Sequence, residues 1–183
     1  SNRSPSNGVD NPRLPRISLD WNGVRLDFQN LQLDDQAFLK SLRACRAEVH
    51  RKRQLDHFEQ VYFTNVDVQH NRLSGQGVKH LLFFLEALEL RPRWLRLDHN
   101  CIADDGMLFI IDFIQNNGLP IEQLHMSHNK LTENSVRPLL NALATHGAYP
   151  RPASDGQFLP LWLRLEHNFI ADVERLLMDA RRV

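Results

Sequence analysis

The stretch Trp94-Leu95-Arg96-Leu97-Asp98-His99-Asn100-Cys101-Ile102 returns almost letter for letter as Trp162-Leu163-Arg164-Leu165-Glu166-His167-Asn168-Phe169-Ile170. Two looser copies complete the set: Val66-Asp67-Val68-Gln69-His70-Asn71-Arg72-Leu73, and Leu124-His125-Met126-Ser127-His128-Asn129-Lys130-Leu131. Each copy sets two apolar residues two apart, then an Asn three further on, then another apolar residue two beyond it. Asn71, Asn100 and Asn129 stand 29 residues apart, and Asn168 follows after 39. Behind each Asn, apolar residues recur at helical spacing: Val78, Leu81, Leu82, Leu85 and Leu88; Met107, Ile110, Ile111 and Ile114; Val136, Leu139, Leu140 and Leu143; Val173, Leu176 and Leu177. Pro92, Gly118 with Pro120, and Pro160 punctuate the chain before the next strand. The unit is therefore strand, turn, helix and return loop.

With the register Phe63, Val66, Val68, Asn71, Leu73, then Pro92, Leu95, Leu97, Asn100, Ile102, then Ile121, Leu124, Met126, Asn129, Leu131, then Pro160, Leu163, Leu165, Asn168, Ile170, the sequence resembles the leucine-rich repeat family and its L-x-x-L-x-L-x-x-N-x-L pattern. The 29-residue period with a full helix is similar to the ribonuclease-inhibitor-like subclass, which is mainly intracellular. Proline replaces the first leucine in two copies. The resemblance implies an α/β fold: a short leucine-rich-repeat solenoid with a parallel concave β-sheet and convex helices. The physics points the same way, because one unit is too small to bury its own apolar face and neighbours must stack to share a core. The Asn has a structural task. The chain turns sharply after the strand, and a buried amide can satisfy backbone groups that would each cost about 1–3 kcal/mol if left unpaired.

Residues 58–183 carry the four repeats, with an inserted loop at 146–160 whose three prolines and two glycines argue against helix or strand. Residues 17–57 read as an N-terminal cap or irregular first repeat with a basic insertion. Asn22-Gly23 predicts a hairpin joining 17–21 to 24–28, and Val24 to Phe28 followed by Leu31 resembles a degenerate first copy. Phe38, Leu39 and Leu42 predict a helix capped by Asp34 or Asp35. Arg43, Arg46, Arg51, Lys52 and Arg53, with the single acid Glu48 among them, read as a solvated continuation of that helix, the alternative being a partner-binding basic patch. Residues 1–16 are polar and rich in Pro, Ser and Asn, which predicts a disordered lead-in.

The 22 basic and 22 acidic residues give a formal net charge of +0, which argues against gripping nucleic acid by bulk charge. Cys45 and Cys101 stand far apart, so no disulfide framework is expected and a reducing compartment fits. No apolar run reaches membrane-spanning length and no signal peptide is recognisable. An intracellular protein, cytoplasmic or nuclear, is expected, with no membrane partner. None of the phosphate-cradling, zinc-protease or nucleophile-elbow motifs occurs. No enzyme and no cofactor are expected.

Strand alternation turns the two apolar residues of each copy inward and their neighbours outward. The outward rows are Asn65, Trp94, Gln123, Trp162; Asp67, Arg96, His125, Arg164; Gln69, Asp98, Ser127, Glu166; and, at the edge, His70, His99, His128, His167. Trp beside Arg is the composition of a binding hot spot. A partner protein or peptide is therefore expected at Trp94, Arg96, Asp98, His99, Asp67, Gln69, His125, Trp162, Arg164 and Glu166, on a module that is part of a larger protein or complex. For each Trp the competing account is packing against its own return loop, favoured for Trp162. Arg96 with Asp67, and Arg164 with Glu166, suit a salt-bridge ladder or partner-facing groups. The histidines lie side by side, with carboxylates in the neighbouring row, so no metal site is expected and hydrogen bonding along the turn edge is the leading account. RNA bound by Arg43, Arg46, Arg51, Lys52 and Arg53, with surface Trp stacking on bases, is the rival reading. A third is a structural or self-associating domain, because Val173, Leu176, Leu177 and Ala180 give the last helix an apolar side without a polar cap.

Overall fold

A computed structural model describes residues 14–20, 23–55, 62–116, 118–153 and 156–180. Most of the expected lead-in thus lies outside the described residues, as do Trp21 and Asn22 of the expected hairpin and the side chains of Lys52 and Arg53. The strands on either side, β1 (Arg16–Asp20) and β2 (Gly23–Asp27), pair antiparallel. Helix α1 (Asp35–Leu55) follows, capped by Asp34, whose carboxylate accepts the Ala37 N–H at 2.8 Å. Phe38, Leu42, Cys45 and Val49 are buried along one side of α1, so the basic stretch continues the helix, with Arg43, Arg46 and Arg51 exposed.

The order then alternates: β3 (Tyr62–Asp67), α2 (Gly75–Ala87), β4 (Leu90–Arg96), α3 (Asp104–Asn116), β5 (Gln123–His125) and α4 (Glu133–Thr145). Two short strands, β6 (Arg151–Pro152) and β7 (Phe158–Leu159), precede β8 (Trp162–Arg164) and α5 (Val173–Ala180). The main sheet has six strands in the order β1-β2-β3-β4-β5-β8, parallel from β2 onward. The protein is therefore α/β, with a mostly parallel central sheet and five helices among the described residues. Each helix packs on the next, α1 on α2 through to α4 on α5. Leu26, Val66, Leu95 and Leu124 are buried beneath them in one continuous apolar core.

Four asparagines join unit to unit. The Asn100 amide donates to the Val68 carbonyl of the preceding unit at 3.0 Å and to Leu97 and Asp98 in its own, while its oxygen accepts the Leu73 N–H at 3.0 Å. Asn71, Asn129 and Asn168 repeat this pattern onto Leu33, Ile102 and Leu131. Each Asn thus reaches backward. Residues 24–33 form a true first unit, since Phe28 and Asn30 donate their N–H groups to Asp67 and Gln69 of the next strand and turn. That unit carries Leu31 where the others carry Asn. The element before it is the antiparallel β1, which presents no turn of the same kind to serve.

Helix entries couple neighbours a second time. Asp35 accepts hydrogen bonds from the Ser74 N–H and hydroxyl, and Asp104 accepts them from Thr132 and Ser135. Gly75 and Gly106 allow α2 and α3 to meet at their first turns: a Cβ on Gly106 would lie 2.5 Å from Ile102 Cγ2 and 3.0 Å from Gly75 Cα.

The 146–160 insertion corrects one expectation. Despite its prolines, β6 and β7 pair antiparallel within it, and the Tyr149–Pro150 peptide is cis. The pairing survives because Ala153 and Gln157 supply a hydrogen bond between N–H and carbonyl at 2.7 Å where proline cannot donate. Tyr149 ties the insertion to the sheet: its hydroxyl oxygen accepts the Ile121 N–H at 2.8 Å, and burial pushes its phenol up to about 12. Arg151 adds an ion pair with Glu122 at 3.3 Å.

Replacing Asn100 by Ala should destabilise the protein by about 3 kcal/mol, because a buried N–H and two or more carbonyls lose their partner. Asn168→Ala, at a half-buried turn, should cost clearly less. Urea unfolding of both variants measures the difference, and equal losses would contradict the coupling described.

Candidate interaction face

The face of the sheet turned away from the helices is built in rows by the strand register. Arg25, Asn65, Trp94, Gln123 and Trp162 stand in the first, and Asp27, Asp67, Arg96, His125 and Arg164 in the second. Backbone bonds through the turns align Gln29, Gln69, Asp98, Ser127 and Glu166 as a third. The rows therefore follow the sequence-based register, lengthened at the front by Arg25, Asp27 and Gln29. Aligning the degenerate first copy with its neighbours was the signal that would have added these three.

Facing outward has not left these side chains exposed. Asp67, Asp98 and His125 are only 5%, 8% and 8% exposed, because flanking rows close over them. Burial raises the Asp67 carboxyl, with the nearby Asp27 and Asp98 charges adding to it, against the Gln69 hydrogen bond and Arg96. Arg96 lies 3.7 Å from Asp67 and over the half-buried Trp94 ring at 5.9 Å, and Arg164 lies 3.4 Å from Glu166. The Arg164–Glu166 pair, exposed on both sides, contributes little to stability. Between Arg25, Asn65, Asp67, Trp94 and Arg96 there is a hollow of about 60 Å³, far below the roughly 300 Å³ of a small-molecule site. An ion cluster not foreseen from the sequence borders this face: Glu122 pairs with both Arg93, at 2.9 Å, and Arg151.

Trp162 departs from the expectation that its return loop covers it. It is 61% exposed. The insertion is anchored instead through Tyr149 and Arg151 to Ile121 and Glu122, and β8 stands at the edge of the sheet among the described residues. The Trp162 ring lies 6.1 Å from the His125 ring. Past it, Phe169, Val173, Leu177 and Met178 are exposed, and Val173 and Leu177 line a cavity of about 390 Å³. Cys101 is exposed too, since Asn100 and Ile102 on either side take the inward positions.

The arginines of α1 do not join the tryptophans. Arg43, Arg46 and Arg51 project from a helix on the core side of the sheet, and Arg51 is held by both oxygens of Glu48. Among the described residues no helix is long and apolar enough to cross a membrane.

The histidine edge differs from the hydrogen-bonded arrangement expected. His70, His99, His128 and His167 all have positive φ, between 53° and 58°, and their rings stack with centroids 4.0, 4.0 and 4.1 Å apart. Burial and the flanking His99 and His167 lower the His128 imidazole, while Asp98 and Glu166 pull the other way. Asp98 lies in the neighbouring row, as the sequence indicates, yet its carboxylate turns to the ladder and meets His99 Nδ1 at 3.4 Å.

No family model matches the chain, and no curated protein matches it either.

His125 gives this face a pH dependence. Its Nε2 is buried and has no hydrogen-bond partner among the described residues. Burial first, then the Arg96 and Arg164 charges, lowers its imidazole below the ordinary 6.5, against Asp98 and Glu166. The unfolded chain therefore binds the proton more readily, so this contribution is fully present above pH 6.5 and is lost as pH falls through the folded-state value. The melting temperature should drop between pH 7 and pH 5, and His125→Gln should shrink that drop; an unchanged slope in the variant would exclude His125 as its source.

Proposed function

We propose that the chain is a short leucine-rich-repeat solenoid of the ribonuclease-inhibitor-like kind, whose concave sheet face binds another protein or peptide inside the cell, as part of a larger protein or complex. The four backward-reaching asparagines and the recurring succession of strand, turn and helix support the family reading. The observation that carries the binding reading is Trp162, 61% exposed beside Arg164 on the outermost strand of the sheet. A large aromatic ring held in water loses the favourable transfer that burial would give it. Trp and Arg together are the residues most enriched where binding energy concentrates.

Trp162 and Arg164 form the adaptable end of this surface, while Trp94 and Arg96 are committed to neighbours within the face. A partner would close over Trp162, reach Arg164 and Glu166, and extend along Gln123 and Trp94 towards Asn65. The small hollow among these side chains favours recognition of a surface over capture of a metabolite. RNA has less support, since the arginines of α1 and the exposed tryptophan stand on different sides of the sheet.

A photo-crosslinking residue at position 123, introduced in the source cells, should give a discrete protein adduct. Trp162→Ala with Arg164→Ala should reduce it about 30-fold, the effect of a 2 kcal/mol hot spot, at an unchanged melting temperature. The pair Trp94→Ala with Arg96→Ala is the poorer probe, because it uncovers the buried Asp67 and lowers stability. An adduct undiminished by the Trp162/Arg164 pair, or one made only to RNA, would overturn the reading.

A further inference from the structure

Four imidazoles form a continuous column along the turn edge, each fixed by the same local geometry. The residue before each Asn occupies the left-handed region, with φ between 53° and 58°, and successive units repeat that direction in register. The rings are consequently parallel to within 18° to 27°. Such a column on its own spreads its nitrogens out instead of converging them.

At one point a carboxylate joins the column. One ligand atom each from His70, Asp98 and His99 lie within 4.8 Å of one another, the one group of three potential metal ligands that does so among the described residues. The third row explains why the trio occurs there. Beside His128 the row supplies Ser127, which lacks a carboxylate, and beside His167 it supplies Glu166, which is engaged by Arg164. Asp98 is largely buried, so its carboxylate is held towards the column, whereas His70 is exposed and His99 partly so, leaving both rings room to turn. Asp67 lies close enough to Asp98 for the two charges to act on each other, and Arg96 offsets Asp67 from 3.7 Å.

We propose that His70, Asp98 and His99 form a surface site for a divalent transition ion of the zinc type. Two imidazoles and one carboxylate suit Zn²⁺, with Cu²⁺ and Ni²⁺ the competitors for the same donors. Tetrahedral bonds of about 2.1 Å place ligand atoms about 3.4 Å apart, so closing the trio asks for about an ångström of movement from exposed rings. Three protein ligands leave the fourth position to water or to a donor from outside the chain. The site does not depend on what binds the sheet, and its failure would leave that reading untouched.

The test is a titration of the full chain with Zn²⁺ alone, in competition with a chromophoric indicator, paired with melting curves. One ion per chain should bind with micromolar or tighter affinity and raise the melting temperature. His70→Asn, His99→Asn and Asp98→Asn should each weaken binding by at least about tenfold, the usual cost of losing a ligand or its orienting partner. His167→Asn, at the far end of the column, should leave it unchanged. Asparagine is chosen at the histidine positions because it tolerates the left-handed backbone. Should His99→Asn unfold, the exposed His70 decides the matter. Absence of binding up to about 100 μM, binding indifferent to His70→Asn, or equal losses from His167→Asn and His70→Asn would each overturn the trio.

Discussion

The structure depends on a side chain that serves the unit before its own. Each turn after a strand leaves an N–H and carbonyls pointing into the interior, where water cannot reach them. The Asn amide two residues before the next inward apolar residue offers both an acceptor and donors, so a single residue type answers both needs. Because the acceptor always goes to the preceding unit, the requirement is directional. The first unit carries Leu31 at the equivalent place and loses nothing, since β1 behind it runs antiparallel. Asn168 makes the same bonds as the others but stays partly open to solvent, because no described unit closes over it.

That constraint propagates to the residue in front. For the Asn to point inward immediately after the outward third-row side chain, the intervening residue takes positive φ, which ordinary side chains avoid and Asn, Asp and His accept more readily. Asn30 takes this place in the first unit and histidine in the other four. The stacked column is thus a by-product of a backbone requirement met four times with the same residue. Stacking at about 4 Å, closer than the roughly 4.8 Å between strands, shows that the rings lean together beyond what the backbone alone imposes.

Period and alternation made much of this legible in the sequence. The strands, the helical faces, the asparagines and the outward rows follow from spacing, since stacking units in register leaves no freedom in which residue neighbours which. What spacing does not carry is the third dimension of the face. Asp67 and His125 read as outward groups and are outward, yet they are buried, because the rings and guanidinium groups of adjacent rows fold over them. The exposure of Trp162 depended on where a 15-residue insertion anchors, and Tyr149 supplies that anchor through a single hydroxyl with no periodic signal. The turn of Asp98 towards His99 rests likewise on one side-chain torsion. The prolines of the insertion misled for a different reason: two-residue strands tolerate residues that lack a donor when the flanking ones provide it.

These facts divide the outer face unevenly. In its middle, charges and rings satisfy one another: Asp67 with Arg96, Arg96 with Trp94, Asp98 with His99. Opening any of these to a partner would first expose a buried carboxylate, and the new contact would have to exceed that cost before it added affinity. At the β8 edge the same residue types recur as Trp162, Arg164, Glu166 and His167, exposed at the end of the sheet among the described residues. The near-identity of the two stretches therefore conceals opposite surroundings. Repetition in sequence specifies the same local fold twice, and position in the sheet decides which copy stays exposed.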